Sequence, residues 1–200
     1  MEIPKIDMKD VDFGGAFKQF VEILKLNKKA IESVAVNAKG GAAAAIFLVA
    51  GAIAGPLGSL IFGFKFANIV IILVQAVFAV AMAVAVIFVT TIVANKLFKG
   101  KGSFADYFRV MGLAYGLNVV MLIGYAAPAL IPLIGLVAMV WGLVITFYAI
   151  QIIFKLDNTN AILTIIVTIV AMVVLSGLVA SLGYGAAYSS FDFSSFSARY

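Results

Sequence analysis

The sequence predicts an all-α membrane protein: five transmembrane helices with an amphipathic interfacial helix at the N-terminus. Three observations predict it. The 200 residues are 64% hydrophobic and 12% charged, whereas a soluble domain is about half apolar and about a quarter charged. The chain is long enough for a core but has too little polar surface to cover one. Five apolar runs follow Gly41, each near or above the roughly 18–20 residues that cross the hydrocarbon. The basic residues gather on alternate connections between those runs, as a membrane orientation requires.

Residues 1–41 form a cytoplasmic segment of mixed charge, seven lysines against six acids. They contain no apolar core of the kind a cleavable signal peptide needs. The first dozen residues are expected to be loosely ordered. From Phe13 a helical period sets in: Phe13, Phe17, Phe20, Val21, Leu24, Ile31 and Val34 recur at steps of three, four and seven. Asp12 is placed to cap this helix, which should lie in the headgroup plane with its apolar side down. Packing of that side on a partner or on the rest of the chain is the alternative.

The transmembrane domain is read as 42–182, with spans at 42–63, 67–94, 110–127, 129–154 and 161–182. Gly55-Pro56 should kink the first span, because proline removes a backbone hydrogen bond. The second is long enough to cross with tilt. The third and fourth are divided by AAPALIP, from Ala126 to Pro132. Pro128 ends one helix and Pro132 suits the first turn of the next. The tail, 183–200, is aromatic, with Tyr184, Tyr188, Phe191, Phe193, Phe196 and Tyr200, and is expected to return to the outer surface.

The charges then orient the chain. With the N-terminus inside, the inner segments hold seven basic residues before the first span, four between spans two and three, and Lys155. The outer segments hold only Lys65 and Arg199. This asymmetry places the N-terminus in the cytoplasm and the C-terminus outside.

Composition also limits the chemistry. There is no Cys and no His, so thiolate nucleophiles, disulfides and imidazole bases are excluded. No ionisable Asp, Glu, Lys or Arg lies between Phe66 and Ala94 or between Val110 and Phe154, which argues against proton-coupled transport. No enzyme, cofactor, metal or catalytic residue is expected. The polar residues in the spans are Gln75, Thr90, Thr91, Asn118, Thr146, Gln151, Thr164, Thr168 and Ser176. Interhelical hydrogen bonding accounts for them; a passive path along Gln75, Asn118 and Gln151, for a solute or lipid, is the rival account. Two GxxxG pairs, Gly51/Gly55 and Gly112/Gly116, point to close helix packing within the chain, with self-association left open. Ala76, Ala79, Ala83, Gly135 and Gly142 add further small faces.

The densest feature is the loop KLFKGKGSFADYFRV, Lys96 to Val110. Gly100 and Gly102 should make it pliable. Ser103 and Asp106 stand three apart, resembling a capping box with Asp in place of Glu. The helix they open would run into the third span, with Phe104, Tyr107, Phe108 and Met111 at headgroup level and Arg109 reaching to phosphate. Lys99, Lys101, Asp106, Tyr107 and Arg109 are the candidate docking surface. The partners expected there are anionic lipid headgroups or a protein at the cytoplasmic face, not nucleic acid. The plainer account is that these residues anchor the third span.

Three stretches carry a family resemblance: GKGSFADYFRVMGLAY (Gly100–Tyr115), IPLIGLVAMVWGL (Ile131–Leu143) after the proline hairpin, and AIQIIFKLDNTNAILTIIV (Ala149–Val167). Over roughly Phe17 to Leu182 the chain resembles the Yip family of Ypt/Rab-interacting membrane proteins. That resemblance implies roles in vesicle traffic, membrane shaping and binding of prenylated small GTPases. The N-terminal region is shorter than in eukaryotic members, which implies a prokaryotic branch and a cell-membrane location without Rab partners.

Overall fold

The structure is a computed structural model that describes residues 11–62 and 69–181. The expectations for the first ten residues, for Lys65 and for the aromatic tail lie outside the described residues. Among the described residues all regular structure is helical: α1 (Phe13–Leu24), α2 (Lys28–Val36), α3 (Gly41–Phe62), α4 (Ile69–Ile92), α5 (Phe104–Tyr115), α6 (Met121–Ala126), α7 (Ile131–Phe154) and α8 (Asn158–Ser181). Among the described residues, five stretches are long and apolar enough to cross a membrane: Ala38–Phe62, Ile72–Leu97, Phe104–Ala126, Pro128–Phe154 and Asn158–Val179. The protein is an integral, multi-pass membrane protein.

Local chemistry sets several of the helix starts. Asp12 caps α1 by accepting from the Gly15 amide at 2.9 Å. Ser103 caps α5 by accepting from the Asp106 amide at 3.1 Å. Asp157 does the same for α8, accepting from Asn160 at 2.8 Å. Each satisfies one of the donors that a helix start leaves unpaired. The proline hairpin also forms. A short 3-10 turn, Pro128–Leu130, separates α6 from α7, with Pro132 in the first turn of α7. The helix of α3 continues through Pro56.

Two elements depart from the pattern in the sequence. The N-terminal helix is two helices, α1 and α2, not one. The Asn27 amide donates to Glu22 O at 3.1 Å and the Leu26 amide to Ile23 O at 2.9 Å, with Leu26 at φ 58°. This is a Schellman termination with leucine in the left-handed position that glycine usually fills. Asn27 then caps α2 through the Ala30 amide. The helix that Ser103 opens runs from Phe104 into the third apolar stretch as expected, but tightens into a 3-10 segment at Gly116–Val120 before α6.

The core sits at the end of the bundle where α3, α5 and α8 begin and α4 and α7 finish. Ile87, Thr90, Ala94, Tyr107, Val110, Leu113, Ile150, Phe154, Ala161 and Thr164 are all buried there. The helices α1 and α2 do not float free of it. They pack on α3, α5 and α7, with Ile23, Ile31 and Val34 sealed against the spans. Phe20 lies 5.4 Å from Phe47, ring to ring, while Phe13 and Phe17 stay exposed. The apolar stripe read from the sequence therefore mainly covers the bundle and only partly faces outward.

Helices α3 and α5 run parallel and touch through their glycines. A Cβ on Gly51 would sit 1.9 Å from Tyr115 O, and one on Gly112 would sit 2.7 Å from Ala44 O. Lipid gives no hydrophobic gain for bringing helices together, so close backbone packing supplies the attraction. The GxxxG pairs thus serve contacts within the chain. The threonines bond mostly within their own helices, and Thr90 also hydrogen-bonds Tyr107 across from α4 to α5. Thr90, Thr91, Thr146 and Thr164 each donate to the carbonyl four residues back on their own helix, at 2.7–2.9 Å.

Candidate functional site

The basic loop is fixed, not pliable. The last turn before it, Val93–Leu97, is π-helical. The Gly100 amide closes it by donating to Ala94 O at 2.9 Å, with Lys99 left-handed at φ 57°. The closure resembles a Schellman cap widened by the π turn. Asn95 Nδ2 then donates across the loop to Gly102 O at 2.8 Å, and the Lys101 amide donates to Phe154 O at the end of α7, at 3.1 Å. The two glycines permit this approach. A Cβ at Gly100 would meet the Phe154 Cβ at 2.9 Å, and one at Gly102 would meet Ile153 O at 2.8 Å. They are needed for closeness to α7 rather than for freedom.

The candidate residues divide into two groups. Lys99 and Lys101 are exposed on the pinned loop, as is Lys96 on the π turn. Tyr107 is not at the surface: it is 1% exposed, its ring 5.2 Å from that of Phe154. A side chain enclosed between α5 and α7 cannot meet a partner, and Tyr107 leaves the surface set. Phe108 and Met111 are buried with it.

Arg109 does not reach outward to phosphate. Its side chain is 11% exposed, and Nη1 donates to Ala35 O in the last turn of α2 and to Asp106 Oδ1 at 3.0 Å. The guanidinium meets a carbonyl at the negative end of the α2 dipole. Asp106 is engaged by Arg109 rather than by the Ser103 backbone, so only half of a capping box forms. Asp106 and Arg109 are positioning residues that tie α2 to α5.

Other contacts hold the same end together. Trp141 Nε1 donates to Leu24 O at 3.0 Å, satisfying an orphan carbonyl at the end of α1. Glu22 accepts from Asn27 Nδ2 at 2.8 Å and pairs with Lys25 at 2.9 Å. The Asn27 hydrogen bond and then the Lys25 ammonium hold its carboxyl below the usual carboxylate range. The sequence held no local signal for the Trp141 and Arg109 contacts, which join residues 117 and 74 positions apart.

The three amides of the rival path do not converge. Asn118 lines a cavity of about 290 Å³ between α3, α4 and α5, beside Gly51, Gly55, Ala83 and Tyr115. Gln151 lies in a separate cleft of about 600 Å³ at the basic end, and Gln75 lines neither. Among the described residues no group of three or more Asp or Glu side chains is arranged to hold a metal ion.

A model of the Yip1 domain matches residues 21–180. No curated protein and no solved structure matches the chain.

Proposed function

The chain belongs to the Yip1 domain family, and on that premise we propose that it is a non-enzymatic membrane scaffold that gathers anionic lipid, or a partner of like charge, at its cytoplasmic end. One observation carries the reading. Lys96, Lys99 and Lys101 are exposed on a loop pinned at both sides by Asn95, Gly100 and the end of α7. A fixed row of ammonium groups at the end of a bundle binds anionic headgroups without first losing loop entropy. Each basic residue near such a surface contributes about 1 kcal/mol. Asp106 and Arg109 hold α2 against α5, the helix that follows the loop.

The test is lipid composition around the reconstituted protein. Nanodiscs containing equal phosphatidylglycerol and phosphatidylcholine would be assembled with the parent chain and with Lys99→Gln/Lys101→Gln. The parent should retain phosphatidylglycerol preferentially after delipidation, and the double variant should lose most of that preference. Equal retention by both proteins would refute the lysine row as a docking surface. Asp106→Ala, which leaves every basic residue in place, should keep the preference. A passive path along Gln75, Asn118 and Gln151 has no comparable support, since the three line no common cavity among the described residues.

A further inference from the structure

A second site lies beside the lysine row, with a different charge pattern. An open cleft of about 600 Å³ separates α2 from the α7–α8 turn. It is lined by Lys28 and Glu32 on α2 and by Lys155, Asp157 and Thr159 at the turn. Two cations and two carboxylates thus face one space. None of the four forms an ion pair with another. The Lys28 ammonium rests 5.4 Å from the Tyr148 ring centroid instead. One Asp157 oxygen is engaged by the Asn160 amide, which leaves Glu32 as the freer acid. Opposite charges held apart around a cleft match a ligand that carries both signs itself.

We propose that this cleft binds the headgroup of a phosphoethanolamine lipid. The phosphate would meet Lys28, Lys155 and the Thr159 side chain, the start of α8 being already capped by Asp157. The primary ammonium would donate to Glu32, with Asp157 beside it. The lining carries no net charge, so it selects a zwitterion over a purely anionic headgroup. A lipid fits better than a free metabolite because an exposed apolar face of α8 begins next to the cleft. From Thr159 the same face of α8 runs on as Ile162, Ile166 and Val170, all exposed, a surface for an acyl chain. The site differs from the lysine row in residues and in ligand, and does not depend on that row recruiting anything.

The test compares lipids of equal net charge, so that attraction to the lysine row cancels. The parent chain, Lys28→Gln and Glu32→Gln would be reconstituted with equal phosphatidylethanolamine and phosphatidylcholine, then delipidated, and the retained lipid weighed by mass spectrometry. Both substituted side chains are exposed on α2, and circular dichroism would verify the fold. The parent should retain phosphatidylethanolamine over phosphatidylcholine by about tenfold, the scale of one charge-assisted hydrogen bond. Glu32→Gln should bring the ratio close to one, and Lys28→Gln should weaken retention of both lipids. Equal retention by the parent, or an unchanged preference in both variants, would overturn the proposal. A further arm offers soluble glycerophosphoethanolamine. Retention of this ester without preference for the intact lipid would overturn the lipid assignment, and its failure to compete would support it.

Discussion

Arg109 on α5 donates from Nη1 to the carbonyl of Ala35, in the last turn of α2. The contact binds the N-terminal helices to the third span, and its guanidinium is almost enclosed. Hydrogen bonds from charged groups contribute about 1.5–3 kcal/mol. Arg109→Ala should therefore loosen α2 by about 2 kcal/mol on that scale, read as amide exchange in α2 roughly 30-fold faster than in the parent. Arg109→Lys should restore part of it, because both contacts leave from Nη1 alone and one ammonium carries three donors. Unchanged protection of α2 in Arg109→Ala would show the tie to be idle.

The glycines of the spans should differ sharply in what they tolerate. At Gly51 a methyl would lie 1.9 Å from Tyr115 O, whereas at Gly142 nothing lies within 4 Å. Gly51→Ala should lower stability by about 1–3 kcal/mol through forced separation of α3 and α5. Gly142→Ala should be neutral or slightly stabilising, since glycine is the poorer helix former. Thermal unfolding in detergent distinguishes the two, and equal melting temperatures would contradict the α3–α5 contact.

The orientation rests on the basic residues and is open to direct labelling. The chain has no Cys, so single cysteines at Ser33 on α2, at Leu130 in the proline hairpin and at Ser195 in the tail report cleanly. An impermeant thiol reagent added to intact cells should modify the second and third but not the first. Modification of Ser33→Cys from outside would reverse the assignment.

Acid should open the turn between α1 and α2. The Glu22 carboxyl is held below its ordinary value by Asn27 and then Lys25. A carboxylate whose folded pKa is depressed stabilises the fold above its unfolded pKa, and this is lost as pH falls through the folded value. Amide exchange at Lys25–Asn27, corrected for intrinsic rates, should therefore be flat near neutrality and should rise below the ordinary glutamate range. Glu22→Gln should remove the pH dependence. A parent profile that stays flat into strong acid would exclude Glu22 as its source.

The sequence by itself determined the membrane class, the five crossings and several helix starts. Those features are compositional or local. Twenty apolar residues cross a bilayer whatever their neighbours, and Asp12 and Ser103 cap amides only three positions away. It also placed Lys99 and Lys101 correctly in an exposed loop, because charge has few other places to go. The tertiary structure alone decided the rest. Leu26 ends α1 in a left-handed conformation that its identity does not announce, in a turn fastened by Glu22 and Asn27 and anchored by Trp141. Tyr107 could have lain at headgroup level, but Phe154 arrives from α7 to cover it. Gly100 and Gly102 read as hinges until that same helix end is seen pressed against them. Arg109 reads as a lipid anchor until Ala35 offers its carbonyl from α2. In each case the deciding partner lies on another helix, and no short-range pattern encodes which helix faces will meet.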